Sequence, residues 1–519
     1  MVKLFTEKKI CQDTCFSIFS KNFVIDTFFI LGKIKEKLED KMKDFLMDVM
    51  NAIEMKNVDY GDVRIVYQKT QSVNLRNGEP QGIADTWELG YGVRVLKNGR
   101  WGFASRSDLN KEEITKVVDE AVKLAEESST VGGEPVILAP EDTYTGEYKS
   151  NIKIDPFKIP IKDKINLLLE ADRNLSKVKG VLVRNVGIEI RRIEKYFAST
   201  EGTNVHQVIF LTGGEVKAMA PGANEIQVRT YPYAGGVIMQ KGWEYIQEID
   251  LSGNAERVGE EAVMLLSAEQ CPSGIYDIIL APDQLYLQIH ESIGHALELD
   301  RVFGSEVSYA GASFATTEKL GKFRYGSEIV NIVADSTFEG GPGTFGWDDE
   351  GVKAHREYLI KDGILVGYLS SRETAQKLGR RSSGAMRASS YNRIPLVRMV
   401  NVNLLPGEWK LEDLIADTDR GILMETNRSW SIDDFRVNFQ FGTEIGYLIE
   451  NGKITRTLKN CTYTGITPEF WNSCDAICGE EEYRMIGVPN CGKGEPGQIM
   501  YVGHASSHAR FRNVRVGIH

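Results

Sequence analysis

The chain has 519 residues, more than one ordinary core of about 250–300 residues can hold, so two or three domains are expected. Its 42% hydrophobic and 26% charged residues exclude disordered and fibrous classes. With 62 basic against 73 acidic side chains the net charge is −11, which argues against a nucleic-acid partner.

Residues 1–34 read as a loosely attached N-terminal extension, poorly ordered, with Met42 and Met47 as alternative starts. Its apolar run FVIDTFFIL covers nine residues, 23–31, and contains Asp26, far short of the roughly 20 needed to span a bilayer. No membrane segment is expected. A first α/β domain is expected over 35–130. It opens with an amphipathic helix on the period of Leu38, Met42, Phe45, Leu46, Val49 and Ile53. Strand alternation follows at Val63, Ile65 and Tyr67, then a hairpin turning at Asn98-Gly99, because a type I′ turn needs the positive φ that Asn-Gly adopts cheaply. A second helix is predicted over 110–127, with Ile114, Val117, Val118, Ala121 and Leu124 on one side.

Gly132-Gly133 and the prolines at 135, 140, 156 and 160 break both periods and predict a linker over 131–160. A second α/β domain is expected over 161–270, with a helix at 161–175, strands GIEIRRI, HQVIFLT and QVRTYPY, and a helix at 254–267. From 271 to 519 the texture is mainly strands. IYDIIL leads into a helix announced by Pro282-Asp283, and hairpins are predicted at Asp362-Gly363 and Asn451-Gly452. The expected class is α+β: N-terminal α/β domains, then a mainly antiparallel β C-terminal domain carrying the helix with QIHESIGHALELD, residues 288–300.

That helix carries the chemistry. In H-E-x-x-H two histidines one turn apart face a single zinc ion, and the glutamate activates its water. Here His290 and His295 are five residues apart, which on a regular α-helix turns them about 140° from each other. They converge only if the helix opens into an i→i+5 turn, so a π-type bulge is required there, and Gly294 makes it less hindered. A catalytic zinc needs a third protein ligand and an open position. Glu298 and Asp300 are candidates, as are the cysteines at 461, 474, 478 and 491; His504 and His508 form a rival pair. The seven cysteines, with 11, 15 and 271, are an odd and sparse set that fits a reducing cytoplasm.

The sequence resembles the TldD/PmbA family of metallopeptidases, specifically its TldD-type members, from about residue 40 to the end. The resemblance is carried by GYGVRVLKNGRWGFAS, YFASTEGTNVHQ, HESIGHALELD, WDDEG, IPLVRMVNVNLLPG, GYLIENGKIT and CGKGEPGQ, in that order. It implies zinc held by His290, His295 and Cys491, with Glu291 as the catalytic carboxylate. It also implies a dimer, either with itself or with a related PmbA-type subunit that lacks the histidine motif.

The function expected is zinc-dependent hydrolysis of short or unfolded peptides, with Glu291 taking the proton of a zinc-activated water. The main alternative is a non-catalytic subunit that binds peptides or partners around a structural zinc, which a fourth protein ligand such as Cys474 or His504 would favour. Thiol redox chemistry through Cys474 and Cys478 is a third reading. Arginines 380, 381, 387, 393 and 398 could meet a peptide carboxylate or form a solvated basic face. The acidic loop Trp347-Asp348-Asp349-Glu350 could hold a peptide amine, support the site from behind, or be an exposed turn.

Overall fold

The structure, a computed structural model, describes residues 39–130, 132–308 and 311–517, so the expected extension 1–34 and Leu38 lie outside it. A helix over residues 39–54 (α1) buries Met42, Phe45, Leu46, Val49 and Ile53, as its period predicts. Three strands follow, β1 (Tyr60–Arg76), β2 (Glu79–Lys97) and β3 (Arg100–Arg106), and then helix α2 (Ile114–Ser128). The β2–β3 turn falls on Asn98-Gly99, with φ of 53° and 70°. Asn77-Gly78 turns β1 into β2 in the same manner, a hairpin absent from the expectations above. On α2 the buried stripe is centred on Val118, and Leu124 lies on its flank, 42% exposed; Val122 and Ala125 are buried there instead.

Residues 131–160 hold more than a connection. Thr145–Lys149 (β4) pairs in parallel with the start of β6 (Asn204–Pro221). Pro156 and Pro160 start helical turns, Pro160 directly before α3 (Ile161–Ser176), because proline has no N–H to lose at a helix start. The remaining strands here are β5 (Val183–Ser199), β7 (Ile226–Tyr231) and β8 (Val237–Met239), and helices α4 (Glu244–Ile249) and α5 (Leu251–Ser267) close this half.

These eight strands form one sheet in the order β3-β2-β1-β5-β6-β4, with β7 and β8 both on β6. β1 pairs antiparallel with β5 from Asp62↔Ser199 to Arg76↔Asn185, so the stretches 35–130 and 161–270 share a single sheet. One face of β1 supplies two separate cores. Val63 and Ile65 lie under α1 and α2, whereas Val73 and Leu75 lie under α3 and α5. The two pairs are roughly 33 Å apart along the strand at about 3.3 Å per residue, and each buried side chain contributes about 1.5–3 kcal/mol.

The C-terminal half is mostly antiparallel strands. Arg420–Ile432 pairs with both Gly274–Leu280 and Asn438–Glu450, and Ala509–Val516 and Thr462–Ile466 complete a closed ring of five. The turns at Asp362-Gly363 and Asn451-Gly452 form with positive φ at both positions. Helix α6 (Pro282–Ile289) leaves the strand Gly274–Leu280 with Pro282 in its first turn. Its apolar spine continues beyond its end as Leu285, Ile289, Ile293 and Leu297, all inside the main core of this half. A separate hairpin, Arg484–Lys493 with Gln498–Ser506, packs against α6. No helix among the described residues is long and apolar enough to cross a membrane.

Candidate metal centre

After Ile289 the α-helix widens. Residues His290–Gly294 form a π-turn in which the His295 N–H donates to the His290 carbonyl, the i→i+5 bond that the histidine spacing requires. The two imidazoles thereby meet, with ring centres 4.8 Å apart and planes at 88°. Gly294 has an ordinary helical φ of −52°, so its backbone freedom is not used. Its lack of a side chain is what matters: a Cβ there would stand 2.1 Å from the sulfur of Met399.

Cys491 arrives on the strand Arg484–Lys493. A bulge between Val488 and Cys491 inserts one extra residue opposite Gln498–Ser506 and re-aims the thiol at the helix. Its Sγ lies 3.7 Å from Nε2 of His295, against about 3.6 Å for the edge of a tetrahedron with zinc–sulfur and zinc–nitrogen bonds. The donor atoms of His290, His295 and Cys491 all lie within 4.8 Å of one another, and all three residues are buried. This is the one such group of His, Cys, Asp and Glu side chains found among the described residues.

The surroundings leave Nε2 of both histidines free to take a metal. Nδ1 of His295 donates to Oε2 of Glu298 at 2.9 Å, which turns Nε2 and its lone pair toward Cys491. On the other ring, Nδ1 of His504 donates to the Val402 carbonyl at 2.9 Å. Nε2 of His504 then accepts from Nδ1 of His290 at 2.8 Å, which frees Nε2 of His290. Burial lowers His290, and burial together with His290 holds His504 well below the usual histidine range, so both rings are neutral. Burial alone would push the Cys491 thiol up, but Arg398 and His295 outweigh it and lower it toward the thiolate. Against its own burial, Glu298 is held well below the usual carboxylate range by Lys493 and His295.

The supports come from the CGK loop and its neighbours. Lys493, fully buried, binds both oxygens of Asp300 at 2.7 and 2.9 Å and the Val397 carbonyl at 2.7 Å. Glu298 and Asp300 are thus committed to His295 and Lys493 and stand behind the donor group. Nη2 of Arg398 donates to the Cys491 carbonyl at 2.5 Å, and Nη1 of Arg387 to the carbonyls of Met399 and Tyr501. Those two arginines are buried braces, neither a basic face nor a peptide clamp, whereas Arg380 and Arg381 are exposed. Asp348, Asp349 and Glu350 of the WDDEG loop are buried as well. Asp349 pairs with Lys195 at 2.9 Å and Glu350 with Arg94 at 3.3 Å, linking this half to the N-terminal sheet.

Two further expectations change. His504 is a hydrogen-bond partner of His290, and His508 faces Glu482 at 3.5 Å. Cys474 and Cys478 are free thiols in separate apolar clusters, and burial pushes both up, Cys478 to about 12. Burial of His504 was readable from the alternation Met500, Val502, His504 along one strand face. The glutamate of the motif is engaged as well: Oε2 of Glu291 accepts from Nη1 of Arg436 at 2.7 Å. Nothing in the sequence around Arg436 points to that contact.

Glu291, both histidines and Cys491 open into one cleft of about 780 Å³. Its other wall includes Lys217, Thr230 and Gly235 of the N-terminal half, and Asn427, Arg428 and Trp430 to Ile432 line its side. The three side chains could hold a divalent metal at the wall of the cleft. Two buried imidazoles and a lowered thiol are the donor set suited to zinc.

Family descriptions match along the chain: the PmbA/TldA metallopeptidase domain 1 over 61–125, the central domain over 154–267 and the C-terminal domain over 273–517. A metalloprotease of Methanocaldococcus jannaschii is 32% identical over 87% of this chain and 96% of its own length. A protein of Saccharolobus solfataricus described as a zinc metalloprotease TldD homolog is 23% identical over 82% of this chain and 90% of its own. Among solved structures, TldE from Thermococcus kodakarensis shares the fold with a TM-score of 0.67 at 17% identity, covering 91% of this chain and 100% of that one. The chain belongs to the TldD/PmbA family of metallopeptidases.

Proposed function

We propose that this metallopeptidase is zinc-dependent and hydrolyses peptide bonds in short or unfolded peptides. His290, His295 and Cys491 would hold the ion, and Glu291 would act as general base. The observation that carries the reading is the convergence of those three donor atoms within 4.8 Å, with Glu291 next in sequence to the first of them. When bound, zinc supplies Lewis acidity that activates a water and polarises the scissile carbonyl. Glu291 accepts the proton of the attacking water and returns it to the departing amine. Glu298 and His504 fix the two imidazoles, and Arg398 favours the thiolate. A structural zinc would use a fourth protein donor, and among the described residues this group has three.

The cleft wall supports an extended substrate. Arg420–Ile432 pairs with Asn438–Glu450 along its length but with Gly274–Leu280 only over Gly421–Met424. Residues 427–432 therefore keep one backbone edge unpaired among the described residues, and all of them but Ser429 line the cleft. An extended peptide added there would be held by its backbone, with little dependence on its side chains. We take the protein to be cytoplasmic and dimeric, with itself or with a PmbA-type relative. The test is metal content by elemental analysis together with peptide cleavage before and after chelation. Cleavage that survives complete loss of metal would overturn the reading.

A further inference from the structure

We propose that Arg436 is a further catalytic residue of this cleft, one that donates a hydrogen bond to the scissile carbonyl oxygen as negative charge develops on it. The inference rests on the peptidase reading above and deepens it.

Three observations support it. First, Arg436 is a nearly buried cation, its side chain 12% exposed, whose one carboxylate partner among the described residues is Glu291. A guanidinium carries five donors, and its Nε is buried with no acceptor among the described residues. Second, the backbone at Arg436 is held in the left-handed region at φ 66°, a conformation strained for a residue that carries a side chain. Asp433 maintains it: its carbonyl accepts from the Arg436 N–H at 3.0 Å, and its carboxylate accepts from the N–H groups of Val437 and Asn438. Thr467 closes the loop by donating to the Arg436 carbonyl at 2.7 Å. Third, Arg436 lines the same cleft as His290, His295 and Cys491. A donor fixed in advance is what stabilises charge that appears only during reaction.

The charge balance gives its role in the reaction. Water adds through its oxygen to the carbonyl carbon, Glu291 takes one water proton, and the C=O π pair moves onto the carbonyl oxygen. Glu291 becomes neutral as that oxygen becomes negative, so the better acceptor for Arg436 changes from one to the other. On collapse the pair re-forms C=O, the C–N bond breaks, and the proton on Glu291 passes to the departing nitrogen. Arg436 keeps its protons throughout.

The experiment compares zinc-loaded wild type, Arg436→Gln and Arg436→Lys. Zinc content and melting temperature are measured alongside kcat and KM for an unstructured peptide. Affinity for a phosphinic analogue of that peptide, which mimics the tetrahedral state, is compared with affinity for the plain peptide in a Glu291→Gln background. Arg436→Gln is expected to keep its zinc and to lose roughly 10²–10³-fold in kcat with KM changed by less than about threefold. Its affinity for the phosphinic analogue should fall by a comparable factor while plain-peptide affinity holds, and Arg436→Lys should recover part of both losses. Equal loss of both affinities, or a kcat loss with the phosphinic affinity intact, limits Arg436 to holding Glu291 and overturns the proposal. Loss of zinc or of thermal stability in both variants assigns it a structural role and also overturns it. A zinc-loaded wild type that cleaves no peptide is a different result, which removes the peptidase reading itself.

Discussion

Nδ1 of His290 and Nε2 of His504 lie 2.8 Å apart, although 214 residues separate them in the chain. Because the Val402 carbonyl can only accept, it fixes the proton on Nδ1 of His504 and thereby the direction of the next bond. His504→Leu leaves a buried N–H of His290 without an acceptor and frees the ring to turn. Zinc affinity in a competition titration should fall about 10–100-fold while the fold persists. His504→Gln, which can accept from His290, should lose less.

Gly294 makes a second prediction. Its missing Cβ is the space taken by the Met399 sulfur, so Gly294→Ala forces the π-turn and Met399 apart. Overpacking of this kind costs about 1–3 kcal/mol, and here it should lower zinc affinity together with melting temperature. Met399→Ala in the same chain should restore part of both. Equal losses in the single and double variants would show that the packing is not the cause.

The pH dependence of stability has a readable component at Glu425. Burial, reinforced by Asp283, raises its carboxyl to about 7, and it has no hydrogen-bond partner among the described residues. Since an unfolded glutamate titrates near ~4.3, the folded state binds the extra proton between those values. The resulting stability is complete below about pH 4.3 and is lost as pH rises through about 7. Glu425→Gln should therefore raise the melting temperature at pH 8 and leave it nearly unchanged at pH 4.5. A variant that shifts equally at both would remove this assignment.

The sequence made legible whatever is local. Asn98-Gly99, Asp362-Gly363 and Asn451-Gly452 marked their hairpins because positive φ is a property of the residues themselves. The five-residue histidine spacing marked the π-turn because helix geometry allows no other way for the rings to meet. Long-range pairing was not legible. That β1 and β5 align Asp62 with Ser199, merging the two N-terminal stretches into one sheet, depends on register between distant strands. Cys491 stood among several candidate third ligands, and only the resemblance singled it out, since nothing near it in sequence links it to α6. The Arg436–Glu291 contact spans 145 residues and rests on a left-handed arginine that no turn rule favours.

Glu291 and Cys491 separate the chemistry from the metal. Glu291→Gln keeps the shape of the side chain and removes the base, so zinc content should match wild type while turnover falls roughly 10²–10⁴-fold. Cys491→Ala removes a donor that touches His295, so zinc and turnover should be lost together.

The most direct test is elemental analysis of purified wild type, Glu291→Gln and Cys491→Ala after dialysis against trace zinc, with peptide cleavage measured on the same samples. The account predicts about one zinc per chain in the first two, little in the third, and cleavage in wild type alone. Full zinc in Cys491→Ala, or cleavage by Glu291→Gln at the wild-type rate, would contradict it.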